Sequence, residues 1–379
     1  VVREEQGFPD VRGSRTSLHW IPYVDSMDIA TLVKGLPLTM YRGDAELRGH
    51  LALMPQGAVA NGTATVKEAT LTSLRFELLA REMNAQISSF SLYSNTFHNI
   101  AFEAHDVQSH VDYDARRAEL TMPDGPRRTE LDLMQYEAWA DRFGWDMDRK
   151  VLDIANTQRG TSEGLDAMDI RLRLPKADDM PGARFVSSDP KRQGLTYHSL
   201  LSTYRYEKAS LCSEGVYLIS VADAVVAPAG DSVHITKGGE MRVLNNATLL
   251  CDRQNAWHTV SEAYVLIEGA NSYTGKGYVD FPEDEEKTEN TQRIYLSDIS
   301  VKGGVSVGTG SINEATGFRL GDAFGFAGRV RMEGNRQMLY FDGGVRLLQE
   351  CIPQEQMGLL AYAAYTDLDS VHEIGRAHV

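Results

Sequence analysis

The chain has 379 residues, 42% hydrophobic and 24% charged, with 53 acidic against 38 basic side chains and a formal charge of -15. That balance excludes wholesale disorder and fits two or three domains or one elongated solenoid. An acidic field repels phosphate backbones and anionic membranes, so nucleic acid is excluded as a natural partner, while divalent cations and basic partners remain allowed.

The opening "VVREEQ" has no methionine, and the closing "EIGRAHV", Glu373 to Val379, reads as translated sequencing adapter. Residues 373–379 are expected to be a non-native tail, and a missing leader or anchor then carries no meaning. No apolar run reaches the roughly 18 residues of a membrane helix, so no transmembrane helix is expected in this fragment. Cys212, Cys251 and Cys351 lie far apart with no CxxC pair. A zinc knuckle is therefore excluded; free buried thiols are the plainer reading, one disulfide the other.

Residues 1–125 read as a β-rich domain. "AELRGHLALMP" places Ala45, Leu47, Gly49, Leu51 and Leu53 on one face at period two. "GAVANGTATV" follows, with Asn61-Gly62 as a tight turn. "SLRFELLA" and "SSFSLYS" alternate again. Residues 126–196 read as a helix and loop connection. In "RTELDLMQYEAWADRFGW", Leu133, Tyr136, Ala140 and Phe143 fall at helical spacing. Thr129 would cap that amphipathic helix and Gly144 would stop it. Loops around one strand, "MDIRLRL", complete the connection. Residues 197–372 form a second β-rich domain. "GVYLISVADAVVAP" is apolar on both faces and should be covered on both sides. "RVRMEGNRQMLYF" reads as a hairpin turning at Gly334-Asn335, with Val330 and Met332 facing Met338 and Tyr340. Four alanines, Ala69, Ala224, Ala247 and Ala263, each precede a buried-looking pair, at irregular intervals. Stacked layers of unequal loop length fit them better than a strict solenoid.

The densest candidate site is "HDVQSHVDYD", His105 to Asp114. On a regular strand His105, Val107, Ser109, Val111 and Tyr113 share one face. Asp106, Gln108, His110, Asp112 and Asp114 share the other. Same-face neighbours stand about 7 Å apart, too far for one coordination sphere without a second strand. Asp106, His110 and Asp112 are the candidate ligands of a divalent cation; otherwise the face is polar because it is wet. "DFPEDEEKTEN", Asp280 to Asn290, lacks the spacing of a calcium loop. "GANSYTGKGY" misses the phosphate-loop spacing, and "GGVSVGTGS" has no following helix. No Gly-x-Ser-x-Gly or His-Glu-x-x-His is present, so no catalytic residue is singled out.

Two stretches carry a resemblance. One runs from "GLPLTMYRGDAELRGHLALM" to "VQSHVDYDARRAEL"; the other runs from "GVYLISVADAVVAP" through "NAWHTVSEAYVLIEG" to "GRVRMEGNRQMLYFDGGVRL". Together they cover about two thirds of the chain. They resemble very large cell-envelope proteins of Bacteroidetes, whose repeats are similar to the lipopolysaccharide-transport bridge family (OstA-type). The resemblance implies short strands stacked into an open, V-shaped β-roll, in a protein of the periplasm, outer membrane or cell surface. It brings no catalytic residue with it.

The expected fold is therefore mainly β, stacked short strands in a β-roll or β-solenoid-like body, interrupted by one amphipathic helix; two β-sandwich domains are the alternative. The expected function is a non-enzymatic envelope protein without cofactor, a structural scaffold or a lipid- or glycan-handling β-roll, with other envelope proteins, lipid or glycan as partners. A carbohydrate-active enzyme would instead show two carboxylates about 5–10 Å apart in a cleft, near the His105–Asp114 face or the aromatics around Trp257 and Tyr273. An adhesin or surface module would show flat exposed patches. A continuous apolar groove would favour lipid; a packed interior would argue against it.

Overall fold

A computed structural model describes residues 7–157, 167–176, 179–282, 291–321, 324–348 and 360–366. The chain is mainly β: one large antiparallel sheet, folded along a crease and not closed into a barrel. Four short strands begin it, β1 (Val11–Arg12), β2 (Thr16–Ile21), β3 (Ser26–Thr31) and β4 (Leu38–Met40). Five long strands follow: β5 (Ala45–Met54), β6 (Gly57–Val66), β7 (Ala69–Leu78), β8 (Glu82–Ser94) and β9 (Asn99–Asp112). Each long strand pairs with the next.

The long strands share an irregularity at mid-length. Gly49 and Gly62 face each other at φ of 154° and 121°. Between β7 and β8 the ladder lapses from Thr72 to Phe76, and between β8 and β9 the register shifts at Ala85/Ser88. Asp106 adopts a φ of 54°. These positions form a crease. Its two sides pair with different partners: the first half of β5 takes β4, and the second half takes β3.

After β9 the two sides separate into walls, and the chain alternates between them. β10 (Arg117–Thr121) belongs to the first wall. β11 (Arg127–Leu131) and β12 (Tyr136–Ala140) belong to the second. β13 (Arg142–Asp146) and β14 (Val151–Ala155) return to the first. A seven-residue helix, α1 (Ala167–Arg173), intervenes. β15 (Ala183–Ser187) and β16 (Thr196–Ser199) extend the second wall; β17 (Leu201–Arg205) and β18 (Ser210–Glu214) extend the first. β19 (Ile219–Val221) and β20 (Ala224–Ala227) lie in the second, and β21 (Ser232–Thr236) and β22 (Glu240–Met241) in the first. The pairings β10–β13, β14–β17 and β18–β21 knit one wall; β12–β15, β16–β19 and β20–β23 knit the other. β23 (Leu244–Cys251) and β24 (His258–Gly269) reunite them. β25 (Ser272–Pro282), β26 (Thr291–Lys302), β27 (Val305–Ile312), β28 (Phe324–Glu333), β29 (Leu339–Leu347) and β30 (Leu360–Thr366) complete the sheet.

The core lies between the walls. Phe102 of the second wall meets Phe143 of the first at a centroid distance of 4.9 Å, and Phe90 meets Trp145 edge-on at 5.8 Å. Trp145, Phe143, Phe102 and Phe90 are all fully buried. One hydrophobic cluster runs from Val11 to Phe341. The wall tips opposite the crease meet through side chains. Lys150 reaches Glu68 at 2.8 Å and Lys67 reaches Asp148 at 3.2 Å. Glu207 accepts the backbone N–H groups of Asn95 and Thr96, and Tyr41 stacks on Tyr113 at 3.8 Å.

Several expectations hold. Ala45, Leu47 and Leu51 are buried together. Of the pairs that follow the four alanines, only Val225-Val226 is buried throughout; Thr70 and Tyr264 are exposed. The apolar "GVYLISVADAVVAP" is covered on both faces: Ala224 and Val226 join the main core, while Val225 and Ala227 pack under Ile170 of α1. Other expectations need correction. The helix predicted around 130–143 is instead β11, β12 and the start of β13. Gln135 turns the chain at a φ of 51°, and Asp141 crosses between walls. These two interruptions displace a period-two pattern into helix-like spacing. Conversely, "MDIRLRL", expected as a strand, lies in α1 up to Arg173. Asn61-Gly62 is a bulge inside β6, and the turn lies before Gly57. In the last hairpin the buried partners of Val330 and Met332 are Leu339 and Phe341; Met338 is exposed. The tail 373–379 lies outside the described residues.

A Cβ on Gly49 would sit 1.9 Å from the Asn61 carbonyl oxygen, whereas one on Gly57, at a similar φ, would meet nothing within 4 Å. Gly49→Ala is expected to lower stability by about 3 kcal/mol and Gly57→Ala by about 1 kcal/mol, read from urea denaturation. Equal losses would show that the crease contact carries no weight.

Candidate functional site

The His105–Asp114 segment is the second half of β9 with the turn after it. Val107, Ser109 and Val111 point inward and are buried, as alternation from the sequence predicts. His105 does not join them. The positive φ at Asp106 inserts a bulge, so His105 and Asp106 both face outward, 64% and 72% exposed at the side chain. Aspartate tolerates this left-handed conformation better than most residues. Asp106 is thus a crease residue first.

The three candidate metal ligands have separate partners. Asp106 pairs with Arg127 at 3.7 Å. His110 shares a 2.6 Å hydrogen bond with the Asn84 side-chain oxygen across the ladder. Asp112 accepts the backbone N–H groups of Asp114 (2.9 Å) and Ala115 (2.8 Å), which shapes the turn into β10. Asp114 pairs with Arg81 at 3.5 Å. The structure does not bring Asp106, His110 and Asp112 together, and among the described residues no three His, Cys, Asp or Glu side chains form a metal-holding group. A groove of about 400 Å3 lies on the outer face beside Asp106, lined by Leu74, Ile87, Asn84 and Gln86. It exists because β7 and β8 part at the crease, pushing Leu74 and Ile87 outward to 94% and 67% exposure.

The second region named by the sequence, around Trp257 and Tyr273, divides differently. Trp257 is 41% exposed, whereas Tyr273 is fully buried. Its hydroxyl lies 2.6 Å from Ser306 Oγ, and Ser306 donates to Asp223 through both its hydroxyl (2.5 Å) and its backbone N–H (2.9 Å). Burial, with Asp223 nearby, pushes the adjacent Cys251 thiol up to about 12. This quartet has the composition of a nucleophile cluster, but every hydroxyl is consumed in tying the β19–β20 turn to β27. The thiol is held protonated and inert. No local signal marks it, since Asp223 and Ser306 are 83 residues apart. Cys212 and Cys251 are free. The acidic run of residues 283–290 and Cys351 lie outside the described residues.

No family model, no curated protein and no solved structure matches the chain.

Two measurements check this description. Calcium, magnesium, zinc and manganese are expected to leave the melting temperature of wild type and of Asp106→Asn/Asp112→Asn equally unmoved; an ion-dependent rise that the double variant loses would restore the metal site. The second measurement concerns alkali. Burial pushes Tyr206 up to about 12 and holds Tyr41, Tyr136, Tyr197, Tyr204 and Tyr273 above the ordinary phenol value. In the unfolded chain these groups and Cys251 ionise near about 9–10. The stability they contribute is whole below that range and falls as pH rises through it toward 12, because the unfolded state then releases protons that the folded state keeps. Urea midpoints should be flat to about pH 9 and drop steeply above about 10. Tyrosinate absorbance near pH 10 that accounts for all 16 tyrosines without loss of fold would contradict the burial.

Proposed function

We propose that the chain is a non-enzymatic structural scaffold of the bacterial cell envelope, a filled β-roll that works through its outer surface. One observation carries this reading: among the described residues, side chains of both walls meet in one hydrophobic cluster in the interior. Rings from opposite walls touch at 4.9 and 5.8 Å, where a lipid-handling roll would keep a channel for acyl chains. The wall tips, bridged by Lys150–Glu68 and Lys67–Asp148, supply a second barrier to entry. A hydrolytic role has less support. The carboxylates of the His105–Asp114 face are engaged in ion pairs and turn bonds, and in the Asp223–Ser306–Tyr273 chain both hydroxyl-bearing residues are fully buried. The envelope location rests on the resemblance of the two stretches named above. Other envelope proteins, or glycan held against the outer face, are the partners consistent with a body of this charge.

The purified protein should yield no stoichiometric phospholipid or lipopolysaccharide on solvent extraction and mass spectrometry. In fractionated cells it should appear in the envelope. One acyl lipid per chain would sink the scaffold reading, and recovery from the cytosol alone would sink the location.

A further inference from the structure

We propose that the pocket beneath α1 is a binding site for a small monocarboxylate with an apolar body. The pocket measures about 200 Å3 and lies on the outer face of the second wall, away from the packed interior. Its floor is Leu218 and Val225; its roof is Leu174 and Met180, from the segment that follows α1. Arg253 stands in its lining beside Ser220. The guanidinium donates to Ser220 Oγ at 3.1 Å and to the Pro175 carbonyl at 3.1 Å. Five N–H donors are available on an arginine, so these two bonds leave others unused. Among the described residues no carboxylate pairs with it. In a chain of formal charge -15, an arginine without an acidic partner beside apolar walls is an unmatched charge.

The chemistry of the ligand follows. One cation calls for one negative charge, and a planar carboxylate fits the guanidinium fork with two parallel hydrogen bonds. Among the described lining residues Arg253 is the permanent cation and His198 is buried, so a phosphate dianion would bring a second charge that the guanidinium alone does not offset. The apolar walls call for an aliphatic or aromatic body. An apolar cavity of about 150 Å3 holds benzene, so this pocket suits a ligand of roughly eight non-hydrogen atoms. Binding would also act on the roof. α1 is only seven residues, too short to persist alone, and is anchored by buried Ile170 and by the Arg171–Asp231 ion pair. A ligand touching Leu174, Met180 and Arg253 adds a third anchor and tightens the segment.

The test is calorimetric titration of the full chain with butanoate, hexanoate, octanoate and phenylacetate, and with 1-hexanol as the uncharged control. Hexanoate or phenylacetate should saturate one site, and 1-hexanol should bind at least about tenfold more weakly. Arg253→Gln should weaken binding by about tenfold or more, while Arg253→Lys retains part of it. Val225→Trp, which fills the floor, should abolish binding at an unchanged fold. Bound ligand should slow backbone hydrogen exchange across residues 167–176. Equal binding of hexanol and hexanoate, undiminished binding by Val225→Trp, or no saturation by any carboxylate overturns the proposal. If Arg253→Gln does not fold, Arg253→Lys and Val225→Trp decide the matter. None of these outcomes bears on the packed interior, which the lipid extraction tests separately.

Discussion

The structure depends on how a β-sheet can be folded in half without leaving its backbone unpaired. A strand that crosses the crease loses ladder partners at the bend, and a buried peptide group without a partner is costly. The chain meets this constraint in two ways. Positive-φ residues, Gly49, Gly62, Asp106, Glu262 and Gly328 among them, redirect the backbone. Buried serines supply the missing partners. Ser73 donates to the Ile87 carbonyl at 2.6 Å, Ser88 to that of Val107 at 3.1 Å, and Ser199 to that of Glu214 at 2.8 Å. Serine suits the position because it is small enough for the inner angle of the fold and carries both a donor and an acceptor. Where the walls separate, the same line is crossed by single residues such as Asp141, whose carboxylate accepts both the backbone N–H and the hydroxyl of Thr157.

Once the crease is set, the rest follows from burial. Two walls a side chain's length apart expose an apolar inner face each, and large rings fill the space better than aliphatic residues alone. Closure at the tips falls to polar groups, because those ends are turns in contact with water. A surface ion pair adds little by itself. Here the pairs fix which turn of one wall meets which turn of the other. A body filled in this way leaves only its outside for recognition. That is why the scaffold reading and the pocket under α1 both concern outer surfaces.

The candidate site was half legible in the sequence. Alternation placed Val107, Ser109 and Val111 on the inside correctly. It failed at His105, because one left-handed residue shifts the phase of everything before it. The same failure, repeated at Gln135 and Asp141, turned two strands into an apparent helix. The Asp223–Ser306–Tyr273 chain could not have been found at all, since its members meet only when strands far apart in sequence come together. Arg253 was equally invisible, as a lone arginine in a polar stretch has no signature until its partners are known.

By itself the sequence determined the β character of the chain, the inward face of the long strands and the need to cover "GVYLISVADAVVAP" twice. Each of these is local, written in period-two alternation or in its absence, and local patterns survive without knowledge of the partner strand. Only the tertiary structure decided where strands bend, which wall each belongs to, that the helix covers Val225 and Ala227, and that the interior is full. Those features depend on backbone angles at single residues and on contacts between distant segments, and neither leaves a periodic trace in the order of amino acids.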